Sequence, residues 1–364
     1  MSAYPVAKID LSAVAHNLQR VKTLAPTSHV MSVIKADAYG HGAIEIASAL
    51  SASDAFAVAR LSEAIQLRES GIQQPIVILE GVSSTRELER AANYAISIVF
   101  HSISQLEILK AAVLSQPLTF CWLMLETGMH RLGFNVDEAN VAIQMLSSCP
   151  NVSGSISVMS HFANADERGD VRNHQQLELI QKFASQHRLA VSMANSAAIL
   201  SYPESHANWL RPGLMLYGIS PFSDKSAVEL GLKPVMKLCS HIIAIKNLQV
   251  GDQVGYGGDW VAKQETRIAI INIGYGDGYS RQLSNIGSVL IKRGKASVLG
   301  RVSMDMLVVN ISDIKDVELG DEAILWGDDL LPVEQVAQQA KTIPYELVCQ
   351  LNQRVKRTYH RGED

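Results

Sequence analysis

Eight short apolar runs constrain this chain more than any other feature: Val30–Ile34, Ala55–Val58, Pro75–Leu79, Ala95–Phe100, Leu118–Leu125, Val152–Met159, Leu189–Met193 and Leu210–Leu216. Each has the length and the β-rich composition of a strand, and most are separated by a stretch with helical spacing, such as Leu61–Glu69, Thr85–Asn93 and Gln175–Ser185. Strand and helix in regular alternation predict a parallel sheet, and eight strands suit one closed as a (β/α)8 TIM barrel. An open doubly wound sheet is the alternative, but no G-x-G-x-x-G opens a first helix.

Beyond the barrel the pattern changes. Cys239–Ile245, Arg267–Ile273, Ser288–Ile291, Ala296–Leu299, Leu307–Val309 and Glu322–Leu325 are short runs separated by Gly and Asp turns, as in a mainly-β domain. A chain of 364 residues exceeds what one core usually serves. The expected division is 1–232 for the α/β barrel and 233–364 for the β domain, and the run Val6–Leu11, within residues 4–11, is a strand that can join the latter.

Charge and composition exclude several classes. The net charge is -4, and the 32 Lys and Arg residues are scattered, so nucleic acid is not the expected partner. No apolar run is long enough to cross a bilayer, and MSAYPVAKIDL lacks the charged and apolar regions of a signal peptide; a cytoplasmic location is expected. Cys121, Cys149, Cys239 and Cys349 form no CxxC pair and no zinc pattern, so they read as free thiols in apolar surroundings, and no metal site is expected. His101, His174, His187 and His206 read as surface histidines.

In Val33-Ile34-Lys35-Ala36-Asp37-Ala38-Tyr39-Gly40-His41-Gly42 an apolar strand runs into a lone lysine, then a tyrosine and two glycines. Desolvation at the inner end of a strand disfavours an ammonium, and a neutral amine is the nucleophile that forms Schiff bases. A lysine snorkelling from a strand end fits the same segment. In a TIM barrel the chemistry sits at the C-terminal ends of the strands, and unusual polar residues collect there. Lys35 and Tyr39 follow the first strand, Arg131 the fifth, His161 the sixth, and Asn195 with Ser196 the seventh, while Arg211 opens the eighth.

The lysine segment resembles the cofactor-lysine signature of bacterial alanine racemases, which are dependent on pyridoxal 5'-phosphate (PLP). The resemblance extends through Thr127-Gly128-Met129-His130-Arg131-Leu132-Gly133-Phe134, Ser160-His161-Phe162-Ala163, Asn195-Ser196, Arg211-Pro212-Gly213, Gly255-Tyr256-Gly257, Gly274-Tyr275-Gly276-Asp277-Gly278 and Gly300-Arg301-Val302-Ser303-Met304-Asp305. It implies a TIM barrel with a C-terminal β domain, a homodimer with shared active sites, and interconversion of L- and D-alanine, for peptidoglycan supply or for D-alanine breakdown. It also implies roles. Lys35 holds PLP on its amine, and Tyr39, Ser196, Gly213, Leu214 and Tyr345 meet the phosphate. Arg211 faces the pyridine nitrogen, with His161 beside it and Asn195 nearby. Lys35 and the partner subunit's Tyr256 are the two bases, taking the proton from the D- and the L-amino acid respectively. Met304 and Asp305, supplied by the partner subunit, approach the substrate carboxylate with Arg131, and Tyr275, Arg281 and Arg301 narrow the access corridor.

Each of these residues also has an ordinary reading. Tyr256 fits a hairpin turn, Gly213 a tight bend, and His161 a core histidine bonded to backbone. A free phenol titrates near 10, so a tyrosine base needs neighbouring cations to poise it. One position departs from the family pattern: many members carry a carbamylated lysine where Met124 stands, four residues before Gly128. A thioether carries no carbamate, so chloride or Glu126 becomes the expected partner of Arg131. That departure keeps a broad-specificity or serine racemase as the runner-up. A PLP-barrel decarboxylase fits less well, because it calls for an acidic partner to the pyridine nitrogen. A non-catalytic PLP-binding barrel lacks the second domain.

Overall fold

A computed structural model describes residues 4–362; residues 1–3 and 363–364, the outer ends of the two expected domains, lie outside the described residues. The chain opens with β1 (Val6–Asp10), and Asp10 then caps the helix Leu11–Leu24 through the amides of Ser12 and Ala13. The barrel follows as β2 (His29–Val33), β3 (Ala55–Val58), β4 (Ile76–Ile78), β5 (Ile96–Phe100), β6 (Leu118–Met124), β7 (Val152–Met159), β8 (Ala190–Ser192) and β9 (Trp209–Leu210). These eight pair in parallel in that order, and β9 returns to β2 through His29↔Trp209 and Val30↔Leu210, so the sheet closes. Such strands are buried on both faces, which is why they read as unbroken apolar runs.

The eighth strand is shorter than the apolar run Leu210–Leu216 suggests. The strand ends at Leu210: Pro212 O still accepts from Val33 N at 2.9 Å, but Pro212 has no N–H to return a bond to the ladder. The Ser196 hydroxyl then takes the amides of Gly213 at 3.0 Å and Met215 at 3.2 Å, and Leu214–Tyr217 winds into a 3-10 turn.

The rest of the chain supplies β10 (Met236–Leu248), β11 (Gln253–Val254), β12 (Trp260–Val261), β13 (Thr266–Ile271), β14 (Ser288–Ile291), β15 (Gly294–Leu299), β16 (Leu307–Asn310), β17 (Glu322–Trp326) and β18 (Lys356–His360). The strand order is β13-β16-β15-β14-β17-β10-β1-β18, and β10 also pairs with β13, so six of these strands close on themselves. β1 lies between β10, antiparallel, and β18, parallel, which ties both ends of the described chain into one sheet. Two helices, Val333–Gln339 and Pro344–Gln350, were not expected among the strands. The second packs back on the segment after β2.

Cys121 and Cys239 are buried thiols as expected, whereas Cys149 is half-buried and Cys349 exposed. His174 is exposed, but His101, His187 and His206 are half-buried, each with a ring nitrogen hydrogen-bonded.

Buried Asn17 joins the last barrel turn to the segment that leads into β10. Its Nδ2 donates to Leu216 O at 3.1 Å and Lys233 O at 2.8 Å, and its Oδ1 accepts from Lys233 N at 2.8 Å. Asn17→Ala strands these backbone groups without partners, so urea unfolding should show a loss of about 2–3 kcal/mol with the fold retained.

Candidate active site

The left-handed turn after β2 organises the site. Ala36, Asp37, Ala38 and Tyr39 have φ of 53°, 54°, 51° and 55°, a conformation that costs L-residues about 1–2 kcal/mol each. Such strain persists only where the surroundings over-determine it. Here the Glu63 carboxylate accepts from Ala36 N at 2.6 Å, Asp37 Oδ1 accepts from Ala43 N at 2.8 Å, and Asp37 O accepts from Gly42 N at 2.9 Å. From the far end of the chain, Arg357 Nε donates to Gly40 O at 3.1 Å. A Cβ on Gly40, whose φ is +78°, would lie 2.2 Å from Val348 O, so the helix Pro344–Gln350 seats directly on the turn. Lys35 and Tyr39 thereby stand at the two ends of one clamped turn.

Tyr39 is buried, with its ring 4.8 Å from that of Tyr217 and 5.8 Å from that of Tyr345. Burial raises both the Tyr39 and Tyr345 phenols, the latter to about 12, so both remain protonated donors at neutral pH. A Cβ on Gly213 would stand 2.7 Å from the Tyr39 hydroxyl, so glycine is what keeps this space open. Leu214 begins the 3-10 turn, and the first position of such a turn has no intrahelical acceptor for its N–H. Two phenol hydroxyls, the Ser196 hydroxyl and backbone amides around a glycine suit a dianion such as a phosphate. Asn195 sits beside them as a cap, its Oδ1 accepting from Ala198 N at 3.1 Å.

Arg211 is 5% exposed at the end of the barrel. Its Nη1 donates to Ser192 Oγ at 2.7 Å, and its Nη2 donates to Ser160 O and to His161 Nδ1, the latter at 3.3 Å. Three of its five N–H groups are thereby used, and Nε and the second hydrogen of Nη1 make no hydrogen bond among the described residues, which leaves two donors for a ligand. Burial, with Arg131 nearby, lowers Arg211 to about 10, so it is still a cation at neutral pH. Burial followed by the charges of Arg211, Arg131 and Lys35 lowers His161 to about 3, so it is neutral and accepts at Nδ1. Lys35 is half-buried, and desolvation together with Arg131 lowers its ammonium pKa.

Lys35, Arg131 and Arg211 thus share one mouth, and Arg131 makes no ion pair among the described residues. Glu126 does not balance it. Burial raises the Glu126 carboxyl, but the amides of Gly128, His130 and Met129 outweigh this and hold it below its ordinary value; Oε1 accepts from Gly128 N and, at 2.9 Å, from Met129 N. Met124 is half-buried, and its carbonyl pairs with Phe134 N at 2.9 Å, closing the neck of the Arg131 loop.

Tyr256 lies between β11 and β12 and is 71% exposed. Among the described residues no hydrogen bond or ring contact joins it to a barrel residue, and it is absent from the charges that act on Lys35, so one chain does not bring the two together. Beside it Arg301 pairs with Asp259, while Tyr275, Met304 and Met306 are 42%, 52% and 42% exposed. Arg354 ties this surface together, donating to Asp305 Oδ1 at 2.6 Å and pairing with Asp277 at 3.2 Å. Arg281 lies in the short turn Arg281–Leu283.

Several supporting residues carry no mark in the sequence. Buried Gln176 donates to Thr127 Oγ1 at 3.1 Å and His161 O at 3.0 Å, and accepts from Ala163 N at 3.0 Å. Thr127 in turn meets Ser160 Oγ at 2.7 Å. Together they join the loops after β6 and β7.

Fold and site match known proteins along nearly the whole chain. Residues 9–221 match the family described as "Alanine racemase, N-terminal domain" and residues 235–359 match "Alanine racemase, C-terminal domain". The alanine racemase of Nitrosococcus oceani is 46% identical over 98% of this chain and 99% of its own. That of Vibrio parahaemolyticus is 45% identical over 97% and 98%. The biosynthetic alanine racemase of Pseudomonas aeruginosa superposes with a TM-score of 0.93 at 42% identity, over 99% of this chain and 100% of that one. The alanine racemase of Acinetobacter baumannii gives 0.92 at 40% identity, over 99% and 100%. The relatives matched along nearly the whole chain are racemases, and an isomerase of amino acids is the class this protein falls in. The chain belongs to the alanine racemase family.

Burial also lowers His41 to about 4, so two neutral histidines sit in the folded chain against an unfolded value near 6.5. Below that value the unfolded chain binds protons that the folded one refuses, so stability is lost as pH falls. The thermal midpoint of the apoprotein should drop between about pH 6.5 and pH 4, and His161→Gln should remove part of that slope. A flat profile for the unsubstituted protein contradicts the assignment.

Proposed function

We propose that this chain interconverts L- and D-alanine with PLP held on Lys35, in a homodimer whose sites are each completed by Tyr256, Met304 and Asp305 of a second copy. The observation that carries this reading is the mouth of the barrel. A desolvated lysine, Arg211 with N–H groups to spare, Arg131 with no ion pair among the described residues, and a cradle of hydroxyls and amides converge there. That set fits a ligand with a phosphate at one end, a ring nitrogen at the other and a carbonyl within reach of an amine.

When bound, PLP supplies an electron sink that acidifies the Cα–H of the amino acid joined to it. Arg211, fixed by Ser192 and by the Ser160 carbonyl, retains its protons at neutral pH and would donate a hydrogen bond to the ring nitrogen without giving up a proton to it. This keeps the sink weak and disfavours decarboxylation and transamination. Neutral His161 accepts from Arg211 and holds its plane. Arg131 meets the substrate carboxylate, with the Met304 amide of the second copy opposite.

Inversion at Cα requires removal of a proton on one face and delivery on the other. Lys35 Nζ, whose ammonium is disfavoured by desolvation and by Arg131, takes the Cα proton from D-alanine. Tyr256 Oη of the second copy takes it from L-alanine, and each group returns a proton in the opposite direction. The exposure of Tyr256 on the β domain supports delivery to another copy. No helix among the described residues is long and apolar enough to cross a membrane, which is compatible with a cytoplasmic enzyme.

Purified protein with PLP and L-alanine should yield D-alanine by chiral chromatography and show a yellow band quenched by borohydride. Lys35→Ala should abolish the band and the activity. Tyr256→Phe should retain the band and lose at least 100-fold in kcat from L-alanine. A yellow wild type that racemises serine but not alanine overturns the substrate assignment.

A further inference from the structure

His41 belongs to the lysine segment but is assigned nothing by the function proposed above. Its side chain is fully buried. Nδ1 lies 2.9 Å from Tyr39 O and 3.1 Å from Ala38 O, both within the left-handed turn. Two carbonyls can only accept, so Nδ1 carries the proton. For the Tyr39 carbonyl it is the one partner among the described residues. The ring also packs 4.6 Å from that of Tyr217, which is itself 4.8 Å from the ring of Tyr39, so the imidazole touches Tyr39 through its carbonyl and shares a ring neighbour with it. Burial keeps this imidazole neutral down to about pH 4, so the donor pattern does not change over working pH.

We propose that His41 is a positioning residue: its Nδ1–H, shared between the carbonyls of Ala38 and Tyr39, holds the strained turn in the shape that aims Lys35 and Tyr39 at one ligand, and so sets how tightly the chain binds PLP. This rests on the PLP reading above. The turn is unfavourable by itself, and no other side chain in the described structure donates to its two inner carbonyls. Glu63, Asp37 and Arg357 hold its outer atoms. With His41 removed, a buried carbonyl loses its partner and the turn can relax toward right-handed backbone, moving the Tyr39 hydroxyl away from Gly213.

The test compares His41→Asn, His41→Gln and His41→Leu as apoproteins titrated with PLP by absorbance. An asparagine amide nitrogen occupies the place of Nδ1, a glutamine amide reaches the place of Nε2, and leucine fills volume without a donor. A cavity of about 240 Å³ lies against His41, so all three shapes have room. The expected result is PLP affinity within about 3-fold of wild type for His41→Asn and weaker by roughly 10-fold or more for His41→Gln and His41→Leu. A role in packing alone predicts the reverse order, since asparagine leaves the largest void. Thermal melts of the apoproteins identify variants that fail to fold, and the Asn-against-Gln comparison stands if leucine does. Equal affinity across the folded variants, or His41→Leu as tight as wild type, overturns the role of His41. A wild type that binds no PLP overturns the cofactor reading instead.

Discussion

The left-handed turn from Ala36 to Tyr39 costs backbone energy that local sequence does not return, and the rest of the molecule is arranged to hold it. β2 delivers the chain to the barrel mouth, Glu63 reaches across from the helix after β3, and Arg357 comes from β18 at the other end of the chain. The helix Pro344–Gln350, carried by the second part of the chain, sits on Gly40 and presents Tyr345 to Tyr39. The barrel and the β domain are therefore not merely adjacent: without the last strand and helix the turn that carries Lys35 and Tyr39 would lose its frame. β1 between β10 and β18 makes this dependence mutual.

Electrostatics give that frame its purpose. Lys35, Arg131 and Arg211 crowd one opening, and the carboxylate closest in sequence to Arg131, that of Glu126, is spent on loop amides. Cations crowded together repel one another; Glu80 and Glu63 offset this in part at Lys35, and an anionic ligand would relieve the rest. Where Met124 stands in place of a charged residue, neutral hydrogen bonds fix the Arg131 loop: Thr127 to Ser160, and Gln176 to both Thr127 and His161. The loop is held by these bonds together with the Glu126 carboxylate on its amides, and not by an ion pair to Arg131.

The barrel was legible in the sequence because strands buried on both faces are written as unbroken apolar runs. The eighth was overextended for the same reason. Leu214–Leu216 is as apolar as a strand, but Pro212 and the Ser196 hydroxyl turn it into a 3-10 loop, and nothing in apolar pattern distinguishes the two. Candidate site residues were legible where strand ends met polar residues and where family motifs stood. The left-handed turn was not, since Ala, Asp, Ala and Tyr carry no positive-φ signature and only Gly40 and Gly42 hint at it. Gln176 and Asn17 look like any polar residue on a helix, because their role depends on which distant carbonyls the fold brings to them. The helix bearing Tyr345 was hidden among short strands.

The central claim is that one active site is built from two copies of the chain. Co-expressing Lys35→Ala with Tyr256→Phe, each inactive alone, and purifying the mixed population tests it most directly. In a mixed dimer with shared sites one site has both defects and the other has neither, so random pairing should restore about a quarter of wild-type alanine racemisation. Mixed dimers that form but remain as inactive as either parent would contradict the account.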